Sequence, residues 1–161
     1  MRRAPRSPPA RCWARRALSP VTAPGKVLCV GLNYREHIEE MGRALPTHPT
    51  LFTKFADTLC GPDDEIELLG SDAVDWEAEL VVAIGAEVFR ADDDEARAAI
   101  AGYTVANDIS ARDWQNRTTQ WLSGKAFDGT TPVGPVVVTT TRPSGRECRA
   151  RAGCAVRPRP R

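Results

Sequence analysis

The stretch Val74-Asp75-Trp76-Glu77-Ala78-Glu79-Leu80-Val81-Val82-Ala83-Ile84-Gly85 constrains the fold more than any other part of the chain. Read as one strand, it places Trp76, Ala78, Leu80, Val82 and Ile84 on one face and Asp75, Glu77, Glu79, Val81 and Ala83 on the other. The first face is apolar throughout and is expected to pack on a core. The second opens with three carboxylates and must meet water, a cation or a site. Two glutamates at i and i+2 on a strand face stand roughly 6 to 7 Å apart at the backbone, a gap that suits two oxygen ligands converging on one hard cation. An edge strand with a solvated acidic face has the same pattern, and spacing alone leaves both readings open.

At 161 residues the chain is about one domain long. Its net charge of +1 conceals a division. Residues 1–20 carry six Arg and no acid, and residues 142–161 carry seven Arg and one Glu, which leaves nine basic against twenty acidic residues between 21 and 141. Both ends are also rich in proline and lack apolar periodicity, so 1–22 and 142–161 are expected to be disordered basic tails around a folded unit over 23–141. Nucleic acid is not an expected partner, because no aromatic but Trp13 interleaves the arginines and the acidic middle would repel a polyanion. The cysteines Cys12, Cys29, Cys60, Cys148 and Cys154 are odd in number and form no CxxC pair, which argues for a reducing, cytoplasmic setting. No apolar run reaches the roughly 18 to 20 residues that span a bilayer, so no membrane role is expected.

Along the folded part, Lys26-Val27-Leu28-Cys29-Val30-Gly31 reads as a buried strand. A short helix follows, with Asn33 placed to cap it and Gly42 to end it, and on it His37 and Glu40 share a face. Such a pair can serve as a general base, and it is also common on solvated helices. Leu51–Phe55 is expected to be a strand, Asp63–Leu68 leads into another, and acidic Asp92–Glu95 opens a helix through Ile100. Gly102–Ile109 reads as a strand ending in polar residues, with Ser110 opening a capping box for a helix through Gln115. Asp108 therefore lies at a strand end, where it can complete Glu77 and Glu79 into an all-oxygen triad suited to Mg²⁺, Mn²⁺ or Ca²⁺. Arg112 and Gln115 come just after it, Lys125 sits in a glycine-flanked loop, and Val136–Val138 reads as a last strand.

The motifs Gly31-Leu32-Asn33-Tyr34 with His37 and Glu40, Asp75-Trp76-Glu77-Ala78-Glu79-Leu80, Asn107-Asp108-Ile109-Ser110-Ala111-Arg112-Asp113, Gly124-Lys125-Ala126-Phe127-Asp128 and Pro132-Val133-Gly134-Pro135 occur in this order. Together they resemble the fumarylacetoacetate hydrolase family. The resemblance implies an α+β, mostly β fold: part of a fumarylacetoacetase-like mixed β-sandwich roll with short helices, forming a homodimer. It implies Mg²⁺ or Mn²⁺ held by Glu77, Glu79 and Asp108, with Ca²⁺ as a third candidate. His37 oriented by Glu40 would activate water, Lys125 would hold developing charge, and Arg112 and Gln115 would bind substrate. The implied reaction is hydrolysis of a C–C bond in a 2-oxo or 1,3-diketo acid, such as an acylpyruvate or fumarylacetoacetate, through a metal-stabilised enolate. Isomerisation or decarboxylation would use the same enolate.

The family pattern continues beyond residue 140 with further strands and a glycine-threonine-proline loop, where this chain has its Arg-rich run. The expectation is a C-terminally shortened catalytic domain with open apolar surface. A truncated, inactive fragment that binds only metal or a partner subunit stands as the alternative.

Overall fold

The computed structural model describes residues 18–67 and 70–139. Most of both expected tails, with Cys12, Cys148 and Cys154, lies outside the described residues. Residues 18–22 form no helix or strand, and the Ser19 hydroxyl closes a small turn on Val21.

The elements are β1 (Val27–Gly31), α1 (Arg35–Glu40), β2 (Thr50–Lys54), a 3-10 turn (Ala56–Thr58), β3 (Leu59–Cys60), β4 (Val74–Asp75), β5 (Ala78–Ile84), α2 (Asp93–Ala98), β6 (Ile100–Asn107), β7 (Ser110–Ala111), α3 (Arg112–Gln115), α4 (Leu122–Lys125) and β8 (Thr131–Pro132). This is the strand-dominated α+β architecture with short helices that the sequence implies. Pairing is mostly antiparallel. β1 pairs β2, β5 pairs β6 and β4 pairs β7, while β3 and β8 pair in parallel. Single bridges from Ala106 to Val133 and from Tyr103 to Val138 tie the chain after β8 to β6.

Several local expectations give way to other bonds. The stretch from Val74 to Ile84 breaks at Trp76 and Glu77, whose amides are taken by the side chains of Asp75 at 2.9 Å and Asn107 at 3.2 Å instead of by a neighbouring strand. No strand forms over Asp63–Glu67. There the Gly61 amide donates to Asp64 Oδ2 and the Asp64 amide to the Gly61 carbonyl, closing a turn. Tyr34, not Asn33, occupies the N-cap of α1 and makes no side-chain cap bond, although Gly42 at φ 64 ends that helix as expected. Ser110 does not cap α3. It belongs to β7, and its hydroxyl donates to the Asp108 carbonyl. Val136–Val138 forms no strand; it lies against β6 at Gly102 and is bonded to it by the Tyr103–Val138 pair of backbone hydrogen bonds. The capping box does form on α2, through Asp92 and Glu95.

The largest correction concerns which face of the central strand is inward. Trp76, Leu80, Val82 and Ile84, expected in the core, are exposed, whereas Glu77, Glu79, Val81 and Ala83 are partly enclosed. β1 and β2 are arranged alike, with Cys29, Phe52 and Lys54 inward and Leu28, Val30 and Leu51 outward. Alternation fixes which residues share a face, and the face turned in is the one whose carboxylates meet Lys54, Lys125 and Arg112. The buried apolar residues Ile38, Ala99, Ile109, Ala111 and Val133 are accompanied inside by Lys54, Thr58, Asn107, Asp108, Gln115, Lys125, Thr130 and Thr131. An interior this polar is stable only if its groups satisfy one another.

Candidate active site

The polar interior centres on Asp108, immediately after β6, whose amide donates to the Glu77 carbonyl at 2.8 Å. That bond brings the end of β6 against the break between β4 and β5, so Asp108, Glu77 and Glu79 approach one another. Lys125, at the end of α4 and 2% exposed, extends its ammonium between two of them, 2.6 Å from Glu77 Oε2 and 3.0 Å from Asp108 Oδ2. Gly124 permits this depth. A Cβ there would stand 2.5 Å from the Gln115 amide nitrogen and 2.6 Å from the Ala111 carbonyl oxygen, so α4 packs on α3 only with glycine at the contact.

A second lysine, not singled out from the sequence, reaches the same carboxylate. Lys54 ends β2, and its ammonium lies 2.8 Å from Asp108 Oδ1, 2.8 Å from Thr131 Oγ1 and 2.5 Å from the Lys125 carbonyl. Its approach to Asp108 Oδ1 is an ion pair at an angle too poor for a hydrogen bond, and no hydrogen bond reaches that buried oxygen. A lysine closing a strand of apolar and β-branched residues, on the same face as Phe52, was the available signal. Without a visible partner it reads as a surface charge.

Arg112 is committed to its neighbours. It grips Asp75 Oδ2 with Nε and Nη2 at 3.0 and 2.8 Å, Glu77 Oε1 at 2.6 Å and Gln115 Oε1 at 2.7 Å. Asp75, also not singled out as a site residue, is thereby held below the usual carboxylate range, chiefly by its hydrogen bond from Arg112. Glu79 moves the other way. Burial raises its pKa first, and the charges of Glu77 and Asp108 raise it further. Cys29 carries a free thiol facing the cluster; burial, and then the Asp108 charge, push it up to about 11. His37 and Glu40 stand apart from this set. They face each other at 4.0 Å on the surface of α1, beyond hydrogen-bond reach and largely exposed, with His37 near enough that its charge counters the rise of Glu79. Phe52 and Trp121 pack edge to face at 5.7 Å and wall the side of Lys125, whose ammonium lies 5.3 Å from the Phe52 ring centre.

In kind, the donors fit a hard divalent cation: three carboxylates, which are acceptors only, two of them already drawn to a buried ammonium. In present spacing they fit an ammonium. Among the described residues, no three side chains of His, Cys, Asp or Glu are gathered tightly enough to hold an ion as they stand.

Comparison with known proteins gives concordant results. A family profile described as "Fumarylacetoacetate (FAA) hydrolase C-terminal" matches residues 26–157. The human protein named oxaloacetate tautomerase FAHD2A, mitochondrial, is 50% identical over 125 residues, which is 76% of this chain and 40% of that protein. A fumarylacetoacetate hydrolase domain-containing protein 2 homolog from Dictyostelium discoideum is 50% identical over 118 residues, covering 71% of this chain and 39% of its own. Among solved structures, 5-carboxymethyl-2-hydroxymuconate delta-isomerase from Mycobacterium smegmatis superposes with a TM-score of 0.69 at 40% identity, covering 80% of this chain and 51% of that one. The chain thus spans about two-fifths of the length of the curated relatives it matches. The human relative is named as mitochondrial, a different compartment from the cytoplasmic one expected from cysteine usage. Among the described residues no helix is long and apolar enough to cross a membrane.

Proposed function

Because this chain belongs to the fumarylacetoacetate hydrolase family, we propose that the cluster around Asp108 takes a divalent cation, Mg²⁺ or Mn²⁺, with a small 2-oxo acid, and stabilises its enolate in a tautomerisation or isomerisation. The catalytic unit is residues 23–141, and the natural assembly is a homodimer. The observation that carries the reading is the buried Lys125 ammonium lodged between Glu77 and Asp108, with Glu79 beside them. Three carboxylates are brought together there, two of them matched by the chain's own cations, and Glu79 lies beside them without an ion pair among the described contacts, its pKa raised by burial and by its acidic neighbours. The names of the relatives favour enolate chemistry: one is a tautomerase of oxaloacetate and another an isomerase.

Glu77, Glu79 and Asp108 would hold the cation, which when bound would polarise the carboxylate and 2-oxo oxygens of a substrate and favour its enolate. The rest falls to the chain itself. Lys125 presents a buried positive charge where an enolate oxygen would develop, in surroundings that strengthen the attraction. Arg112, held by Asp75, keeps Glu77 oriented from behind, and Gln115 is drawn into the same set through its bond from Arg112. Phe52 and Trp121 restrict water on one side.

The test is to follow enol-to-keto conversion of oxaloacetate, and in parallel cleavage of acylpyruvate, by the purified chain with Mg²⁺ or Mn²⁺ and with chelator. Cation-dependent conversion that a Glu77→Ala, Glu79→Ala double variant loses is the expected result. Folded, soluble chain that is inactive on both substrates would favour the fragment reading.

A further inference from the structure

Two buried lysines meet at Asp108, and their surroundings differ. We infer that they divide the work. Lys54 is a fixed positioning residue for Asp108 and for the Lys125 main chain, whereas the Lys125 ammonium is an exchangeable counter-ion that yields its place between Glu77 and Asp108 to the divalent cation. This rests on the reading that the carboxylate cluster binds a cation.

Lys54 has no slack. Its side chain is 1% exposed, and its ammonium donates hydrogen bonds to Thr131 Oγ1 and the Lys125 carbonyl while it is ion-paired with Asp108 Oδ1. Moving it would strip all three at once inside the protein. Through Thr131 it joins β2 to β8, and through the Lys125 carbonyl it pins the end of α4. Lys125 is tied differently. Only its main chain is fixed by Lys54; its ammonium, at the end of a four-carbon stem, is hydrogen-bonded to the carboxylates of Glu77 and Asp108.

Those carboxylates are the ones a cation needs. Oxygens 2.6 and 3.0 Å from a nitrogen must close to roughly 2.1 Å around a magnesium-sized ion, and the ammonium would then share two oxygens with a divalent charge. Both cannot stay. The Phe52 ring, 5.3 Å away, offers the displaced ammonium a face to move against. Asp108 keeps its geometry through the exchange because Oδ1 remains paired with Lys54 while Oδ2 changes partner.

The division is tested by titrating Mn²⁺ alone into the full chain by calorimetry, with free Mn²⁺ counted by paramagnetic resonance. Lys125→Met and Lys125→Gln are each expected to bind Mn²⁺ more tightly, on the order of tenfold if the ammonium occupies the two oxygens nine-tenths of the time. Lys54→Met is expected to bind no more tightly than the unaltered chain. Thermal melts by circular dichroism identify variants that have lost their fold, and the two Lys125 substitutions are judged independently. Unchanged or weaker Mn²⁺ binding in both Lys125 variants, while Glu77→Ala with Glu79→Ala abolishes binding, overturns the exchange and leaves the cation reading standing. Equal tightening by Lys54→Met and Lys125→Met would reduce both lysines to bulk charge and overturn the division. No saturable Mn²⁺ binding by any folded variant would remove the cation reading and the exchange together.

Discussion

Glu79 and Leu80 are adjacent on β5 and point to opposite sides of the sheet, the glutamate toward the interior and the leucine outward with 60% of its surface exposed. The same opposition continues along the strand, where Val82 and Ile84 join Leu80 outside and Val81 and Ala83 join Glu79 inside. Charge drawn inward is paired through Lys125, Lys54 and Arg112, while the apolar side carries Trp76, Leu80, Val82 and Ile84 as a continuous exposed stripe. A stripe of this kind is an association surface or an aggregation liability.

Lysine on the outer face should therefore be tolerated. Leu80→Lys with Ile84→Lys is expected to lower static light scattering at a given concentration and to leave the urea midpoint nearly unchanged. Val81→Lys, one position over and facing in, is expected to cost about 1–3 kcal/mol. If the outer pair proved as damaging as the inner one, the assignment of faces would be wrong.

Gly124 is the closest point between α3 and α4. Gly124→Ala would press a methyl against the Gln115 amide nitrogen and the Ala111 carbonyl, neither of which can turn aside as a side-chain tip can. A loss of about 1–3 kcal/mol in chemical denaturation is expected. Because Lys125 follows directly, the Lys125 contact with Glu77 should loosen as well, visible as weaker protection of the α4 amides in hydrogen exchange.

Cys29 reports on the field inside the cluster. Its thiol lies well above the ordinary 9.0, at about 11, through burial first and the Asp108 charge second. A thiol reacts as its thiolate, so alkylation of native Cys29 by iodoacetamide at pH 8 should be slower by about a hundredfold or more than in denaturant, as read by peptide mapping. Asp108→Asn should narrow that difference. The sign of the linkage follows: the folded chain holds this proton more tightly than the unfolded one, so Cys29 lowers stability as pH rises from about 9 towards about 11.

Motifs carried Glu77, Glu79, Asp108, Arg112 and Lys125 into view because each lies in a short run with its own polar pattern, and the strand-dominated architecture followed from alternation between turns. Lys54 and Asp75 escaped because their roles depend on partners 71 and 37 residues away, in Lys125 and Arg112. The inward direction of the acidic face escaped for the same reason. A strand read alone favours burial of Leu80 and Ile84, and the lysines that meet the acidic face arrive from β2 and α4, far away in sequence. The broken strand at Trp76 likewise depends on Asn107, 30 residues on, which takes the Glu77 amide.

Arg112 joins Asp75, Glu77 and Gln115 by a planar fork that lysine cannot reproduce, although lysine would keep the charge. Arg112→Lys should therefore leave net charge unaltered and release Glu77 from one of its two cationic partners, with Lys125 remaining. Residues that orient a cation ligand from behind commonly matter by about ten- to a hundredfold, and a fall of that order is expected in Mn²⁺ affinity and in kcat/KM for the enolate reaction. Asp75→Asn, which weakens the grip on Arg112 without removing the fork, should fall less in both. The ordering of the two variants separates orientation from charge. A larger loss for Asp75→Asn than for Arg112→Lys would mean that the negative charge of Asp75, and not the direction it imposes on Arg112 and Glu77, is what the site requires.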